Sequence, residues 1–192
     1  GITTDNWYQR VNDDPGTTHV GFILFGGSNT SSITNATHVV VQSGTFSSVF
    51  GGGNSGSVSD TYVSIGSTGS TGPTIFAVYG SSYGANAANT NIQVNSGTIM
   101  ELLGGGRSSN SDSNSTEVTG GYVSYLNGAQ RSGGNSVGKG EGKTVVQVSV
   151  VNGKIDYLYG GVKDGNTDAK HHPVDGLSLI HISEPTRPRL IS

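Results

Sequence analysis

Cysteine is absent from this chain of 192 residues, and charged residues make up only 12% of it. The absence of cysteine excludes disulfides, so stability has to come from backbone pairing and packing. Lysine and arginine number 10 against 13 aspartates and glutamates, without a basic cluster, which argues against nucleic acid as a partner. No apolar run approaches the ~20 residues of a membrane helix, so we expect no membrane span in this segment. No signal peptide precedes Gly1 and the chain does not start with Met, so we interpret it as an internal piece of a longer protein.

Glycine, by contrast, supplies 32 of the 192 residues, well above its usual share of about 7%. No window of the chain has apolar residues at helical spacing, so helices are not expected. Valines at alternate positions, separated by clusters of Gly, Ser and Asn, indicate short strands joined by tight turns. Gly and Ser enrichment also marks flexible linkers, but linkers lack a regular apolar pattern.

A repeat organises these strands. Its template runs apolar, any, apolar, any, Ser or Asn, Gly, any, apolar, two of any kind, two apolar, then Gly-Gly. Counted at the first apolar residue before each glycine block, the copies start 25, 29, 24, 24 and 32 residues apart. Three copies fit without a gap, at Val39 to Gly52, Ile92 to Gly105 and Val148 to Gly161, and the weaker copies include Val63 to Gly80 and Thr116 to Gly128.

Strands and turns repeating at this period predict a solenoid, in which each coil buries its open apolar face on the next. We predict an all-β fold, a right-handed parallel β-solenoid (β-helix) with about six coils of 24–32 residues. The glycine blocks form corners, where positive φ and close approach of stacked neighbours exclude a Cβ. The segments between a glycine block and the next strand are loops or a weak third side, anchored by Ile33, Val58 and Val137. The predicted organisation is a lead-in at 1–19, solenoid repeats at 20–161, an exit loop at 162–176 and a tail at 177–192.

Two adjacent columns precede the glycine blocks. The first is entirely aliphatic and is expected to face the core: Leu24, Val49, Val78, Leu102, Leu126 and Leu158. The second is mostly aromatic and is expected to face outward or to be half exposed: Phe25, Phe50, Tyr79, Leu103, Asn127 and Tyr159. The aromatic members Phe25, Phe50, Tyr79 and Tyr159 are candidate ligand-binding residues, because a flat ring can stack on a sugar. The alternative is that these rings stack mainly on one another.

The apolar-Tyr-Gly-Gly signature with Ser/Asn-Gly turns, over about Val20 to Gly161, resembles Gly-rich parallel β-helix repeats of bacterial surface proteins described as adhesin-like. The resemblance implies a secreted or cell-surface location and contact with carbohydrate or a host surface.

The tail differs in composition from the rest of the chain. Its first eleven residues, "LSLIHISEPTR" from Leu177 to Arg187, resemble an in-frame translation of an adapter used in DNA sequencing libraries. We therefore expect residues 177–192 to be non-native and dispensable, in keeping with a metagenomic origin. The alternative is a natural linker after the domain.

One segment carries a partial metal-binding pattern. "DGNTDAKHHPVD", Asp164 to Asp175, resembles dockerin or EF-hand calcium loops at four oxygen-bearing positions, but Ala169 replaces the expected glycine and Pro173 intrudes. A solvated exit loop is the favoured interpretation. His171 and His172 are adjacent and would face opposite ways on a strand, and we expect no bound metal and no cofactor.

Catalytic residues are hard to find. An enzyme built on a β-helix needs acids or bases gathered on one face. Here only Glu101 and Asp156 are acidic near the aliphatic column, and two coils of separation predict that they lie about 10 Å apart. We therefore predict no catalysis and a structural or adhesive segment of a secreted or surface-attached bacterial protein. The alternative is a fragment of a carbohydrate-active β-helix, similar to a polysaccharide lyase or hydrolase.

Overall fold

The computed structural model describes residues 22–109, 111–129, 144–160 and 177–182. These residues form an all-β parallel β-solenoid of about four turns. Sheet A has the order β1-β3-β5-β7-β9-β11 and sheet B the order β12-β10-β8-β6-β4-β2, so the chain alternates between the two sheets. The strands are β1 (Phe22–Phe25), β2 (Thr37–Val41), β3 (Thr45–Phe50), β4 (Val58–Ile65), β5 (Thr74–Tyr79), β6 (Ala87–Val94), β7 (Thr98–Leu103), β8 (Ser111–Val118), β9 (Tyr122–Asn127), β10 (Thr144–Val150), β11 (Lys154–Tyr159) and β12 (Leu177–Ile182).

The strand register confirms the alignment of the repeats. In sheet A, Leu24 pairs with Val49, and the column continues in register through Val78, Leu102, Leu126 and Leu158. In sheet B, the first apolar position of the template forms the column Val39, Val63, Ile92, Thr116 and Val148. The right-handedness and the number of about six coils stay predictions.

The core lies between the two sheets. One hydrophobic cluster contains the inward residues of sheet B, such as Val63 and Val94, together with those of sheet A, such as Val49 and Leu102. The aliphatic column is therefore buried as predicted, except at its ends, where Leu24 and Leu158 are only partly buried.

The strands of sheet A from β3 to β11 break the alternation at one stacked position. Phe46 and Val49 both pack in the core although they lie three residues apart, and the pairing of β3 with β5 skips Ser47. The same position is skipped in the pairing of the later strands. An extra residue at the equivalent place in each of these strands bends the sheet, as a β-bulge does. β1 lacks this residue, so its register with β3 shifts between Phe22 and Ile23. From β3 to β11, two consecutive residues per strand therefore lie outside the core.

The glycine corners stack as closely as the sequence predicts. A Cβ on Gly51 would overlap the carbonyl oxygen of Gly80, and a Cβ on Gly80 would overlap that of Gly104. The expected positive φ in these blocks is wrong. Positive φ occurs instead at the Ser-Gly and Gly-Gly turns that lead into sheet A, at Gly44, Gly97 and Gly121. The corner glycines are thus required by close contact between backbones rather than by an unusual φ.

A polar column inside the solenoid ties each coil to its own corner. Thr37 donates a hydrogen bond to the Gly51 carbonyl at 2.6 Å, and Thr61 donates to Gly80 at 2.5 Å. Thr90 lies 2.6 Å from the Gly104 carbonyl oxygen, and the amide of Asn114 donates to Gly128 at 3.1 Å. All four side chains are buried, so each bond satisfies a carbonyl that water does not reach. The sequence analysis missed this column, although the four residues align two positions before the template.

The segments after the glycine blocks pair between coils where they lead into sheet B, and the structure describes no third sheet among its residues. Ile33 bridges to Val58, and Val58 is in register with Ala87 and then Ser111. Backbone bonds continue between the loops, for example from the amide of Tyr83 to the carbonyl of Gly53. The predicted anchor Val137 lies outside the described residues, as do the lead-in at 1–19 and the exit loop at 162–176.

The tail begins as a strand. β12 pairs in parallel with β10, with Val148 opposite Ile180 and Val150 opposite Ile182. This strand was not expected from the sequence, where residues 177–192 were placed outside the fold. The interpretation of these residues as adapter-derived stays a prediction.

Candidate functional site

The aromatic column in sheet A is a stack of rings. The rings of Phe25 and Phe50 lie 4.9 Å apart and those of Phe50 and Tyr79 lie 4.5 Å apart, with interplanar angles of 11° and 6°. The expected exposure of this column is wrong at Phe50, Tyr79 and Leu103, which are 2%, 1% and 0% exposed, and at Asn127, which is 0% exposed. The first three form a second hydrophobic cluster outside the core.

A ring from another segment covers Phe50 and explains the error at this residue. The ring of Tyr83, from the segment after β5, packs edge-on against Phe50 at 5.8 Å. Alternation along a strand predicts which face a side chain takes, but it does not predict whether another segment covers that face. The flat faces of Phe50 are turned to its two ring neighbours, so stacking on one another is the arrangement found.

Tyr159 does not join this stack. Leu103 and Asn127 stand between Tyr79 and Tyr159 in the column, and Tyr159 is 38% exposed. The structure therefore brings together three of the four candidate residues and leaves the fourth apart. A ligand-binding role for Phe25, Phe50, Tyr79 and Tyr159 stays a prediction.

A more accessible aromatic pair lies on the outer face of sheet B. The rings of His38 on β2 and Tyr62 on β4 stack at 4.8 Å with an interplanar angle of 7°. Tyr62 is 43% exposed, and Val40 on the same face is 63% exposed. In the next two strands the column of His38 and Tyr62 continues with the smaller side chains of Asn91 and Ser115.

A shallow groove of about 310 Å³ runs beside this pair and is called the sheet B groove. One wall is the column of His38 and Tyr62, the other is the column of Val40 and Ser64, and the groove crosses four strands, from β2 to β8. Three strand spacings of roughly 4.8 Å make it about 14 Å long. Its lining residues are His38, Val39, Val40, Tyr62, Val63, Ser64, Asn91, Ile92, Gln93, Ser115 and Glu117.

The end of the sheet B groove at β6 and β8 is polar, and two side-chain hydrogen bonds lie there. The amide of Gln93 donates to the carboxylate of Glu117 at 3.3 Å, and the amide of Asn91 donates to the Thr61 carbonyl at 3.4 Å. Each primary amide has a second N–H and a carbonyl oxygen besides the bond it makes here. The groove can therefore offer donors and acceptors beside an aromatic wall.

A second polar and aromatic cluster lies on sheet A, in β9 and β11. Tyr122 donates a short hydrogen bond to Asp156, and Ser124 lies 3.4 Å from the same carboxylate oxygen. The Lys154 ammonium sits 5.3 Å from the centre of the Tyr122 ring. The bond to Asp156 raises the pKa of Tyr122, because ionisation would remove the donated proton and place two negative charges together.

The remaining sequence candidates do not assemble a site. Glu101 is buried on β7 and Asp156 is exposed on β11, with β9 between them, as the two-coil separation predicted. The calcium-like segment Asp164 to Asp175, with His171 and His172, lies outside the described residues. Within the described ranges, no three His, Asp or Glu side chains lie close enough to hold a metal ion. The described part of the chain also has no helix with the length and apolarity that a membrane crossing needs.

The sequence analysis missed His38 and Tyr62. A signal existed, because both residues occupy the position directly before the template in consecutive copies, where an outward side chain is expected. The fold and the groove define the chain as a parallel β-solenoid with an open outer face. Comparison with protein-family models, curated proteins and solved structures finds no match to the chain.

Proposed function

We propose that this chain is a non-catalytic, adhesive segment of a secreted or surface-attached bacterial protein. The observation that carries the proposal is the open outer face of sheet B, where exposed side chains in register cross successive strands. An extended surface of this kind suits weak contacts repeated along its length better than one deep pocket.

The inner columns support this proposal by making the surface a fixed one. The buried core and the hydrogen bonds from the polar column to the corner glycines hold β2, β4, β6 and β8 in a defined register. Outward residues are then kept at constant spacing without rearrangement on binding, which lowers the entropy lost when a ligand binds. Several copies on one cell would add avidity to contacts of about 1 mM each.

Binding by a multivalent form tests the proposal. The full chain, biotinylated at one terminus, is captured on streptavidin beads and applied to glycan arrays and to host-cell surfaces, beside the monomeric chain at equal concentration. We expect retention of the beads and little retention of the monomer. Failure of the beads to bind any surface would overturn the adhesive function. Release of new sugar reducing ends or unsaturated products from a bound polysaccharide would instead support the enzyme alternative.

A parallel sample with chelator examines the calcium-like segment. Binding that persists in chelator is expected, since no three His, Asp or Glu side chains of the described residues, the groove included, lie close enough to hold a metal ion. Loss of binding in chelator would shift the adhesive site to Asp164 and Asp168.

A further inference from the structure

We infer that the sheet B groove binds a neutral, extended polysaccharide chain, with one sugar ring stacked against Tyr62 and its hydroxyls bonded to the amides beyond it. This inference rests on the proposed adhesive function and names its site and ligand class. Three observations carry it: the step in side-chain size after Tyr62, the charge of the lining, and the position of the groove within the sheet.

The step in side-chain size leaves one face of the Tyr62 ring without an aromatic neighbour. His38 covers the Tyr62 face that looks towards β2, but the residue in register on β6 is Asn91, which is shorter and is bonded back to the Thr61 carbonyl. The other face of Tyr62 is therefore not covered by an aromatic neighbour in its own column. A pyranose ring has an apolar face of C–H groups that fits such a ring face.

The charge of the lining selects among sugars. Of the described residues that line the groove, none is lysine or arginine, and Glu117 is the acidic one. Uronates, sulfated sugars and other anionic chains would meet this carboxylate without a lysine or arginine in the lining to pair with. Neutral hydroxyls, by contrast, can donate to Glu117 and bond to the amides of Asn91 and Gln93.

The position of the groove disfavours a peptide as the occupant. The groove crosses β2, β4, β6 and β8, whose backbone groups already pair with one another. An extended peptide gains most of its affinity for a sheet by pairing along a free edge. β2 is the end strand of the described sheet, and a peptide paired to it would run along that strand rather than across the strands in the groove. The ligand is therefore recognised by side chains alone, which suits a chain rich in hydroxyl groups.

Two variants and one control test the site. Tyr62→Ala removes the stacking surface. Asn91→Tyr adds a ring in register with Tyr62, extending the stack and filling the groove. Tyr157→Ala is the matched control, since Tyr157 is 50% exposed and stacks on Tyr125 at 4.7 Å on the other sheet. All three are made in the full chain, and circular dichroism checks that each keeps the strand signal.

The probes are short linear β-1,4-glucan, β-1,4-mannan and β-1,4-xylan oligosaccharides, with oligogalacturonate as the anionic comparison. Backbone amide shifts of the isotope-labelled chain report both the location and the Kd of binding. We expect at least one neutral probe to shift amides of β4 and β6, with a Kd unchanged between ~0.05 and ~0.5 M salt because no charge is paired. Tyr62→Ala and Asn91→Tyr should each raise that Kd about tenfold or more, and Tyr157→Ala should leave it within about twofold.

Failure of the groove assignment and failure of the adhesive function would give different results. Absence of binding by every neutral probe, preference for oligogalacturonate, or shifts confined to other strands would overturn the inference. Equal Kd values for the native chain and both groove variants would do so too. If beads coated with Tyr62→Ala and with Asn91→Tyr still adhere like the native chain, the groove assignment fails while the adhesive function stands. If native beads adhere to nothing, the adhesive function itself fails.

Discussion

Two threonines on neighbouring strands give a sharp test of the interior. Thr90 on β6 and Thr116 on β8 are both 1% exposed, yet their hydroxyls have opposite situations. The Thr90 hydroxyl lies 2.6 Å from the Gly104 carbonyl oxygen and 2.8 Å from the Asn114 amide oxygen. The Thr116 hydroxyl is buried without a hydrogen-bond partner. The same substitution, threonine to valine, should therefore have opposite effects at the two positions.

The magnitudes follow from what each hydroxyl does. Thr90→Val leaves the Gly104 carbonyl buried with one bond fewer, which should lower the free energy of unfolding by about 1 to 3 kcal/mol. Thr116→Val removes a buried, unpaired hydroxyl and adds a methyl group to a column whose other members are Val39, Val63, Ile92 and Val148. We expect a gain of about 1 to 2 kcal/mol, because burying an unpaired hydroxyl costs about 1 to 3 kcal/mol in proteins.

Urea unfolding followed by circular dichroism measures both variants against the native chain. Valine and threonine have nearly the same shape, so packing changes little and the sign of each effect reports on hydrogen bonding. Similar losses at both positions would refute the reasoning and would show that the Thr116 hydroxyl has a partner, such as a buried water. A loss below about 0.5 kcal/mol for Thr90→Val would show that the polar column does not stabilise the glycine corners.

Three further predictions address the core, the tail and the Tyr122 cluster. Leu102→Ala should cost about 2 to 5 kcal/mol of unfolding free energy, whereas Leu158→Ala, in the same column but only partly buried, should cost less; equal losses would contradict the end of the core at β11. Deleting residues 177–192 should lower the urea midpoint, since β12 pairs with β10, and an unchanged midpoint would favour the adapter interpretation. Asp156→Asn should lower the pKa of Tyr122, measured as the change in tyrosinate absorbance on titration against a Tyr122→Phe control. The pKa of Tyr122 in the folded state lies above the unfolded value near 10, so the bond to Asp156 stabilises the fold below about pH 10 and its contribution is lost at higher pH. If Asp156→Asn titrates like the native chain, this bond is not the cause of the raised pKa.

The architecture could be predicted because the repeat constrains the interior directly. A residue such as Leu102 packs on Val78 and Leu126, its equivalents in the neighbouring coils, so its column has to stay aliphatic. The glycines mark the same corner in each copy, which aligns the copies with one another even where their lengths differ. The sequence therefore predicts the solenoid, the pairing of its strands and the identity of the inner column.

The exposure of the second column could not be predicted in the same way. Phe50 lies outside the core cluster, as alternation requires, but it is covered by Tyr83, which follows the next strand of sheet A rather than its own. Such a cover depends on the path of a segment between repeats, where the sequences differ most. Asn127 occupies the position of Leu103 in the next coil and is buried with neither amide atom hydrogen-bonded. Its polar side chain suggests an exposed position, so the residue type alone does not reveal its burial.

The sheet B groove could be predicted only by comparing the residues in register on successive coils, because composition does not show which residues are neighbours. The stack of His38 and Tyr62 would continue if the next residue in register were also aromatic. In sheet A the stack of Phe25 and Phe50 does continue, because the next residue is Tyr79. Because the next residue after Tyr62 in register is Asn91, the stack in sheet B ends on β4 and one ring face has no aromatic neighbour. Ladders in a solenoid thus stabilise the coil where they continue and leave a surface for recognition where they stop. A binding position on a fold of this kind is best sought at the end of an exposed ladder, and in this chain that position is the boundary between Tyr62 and Asn91.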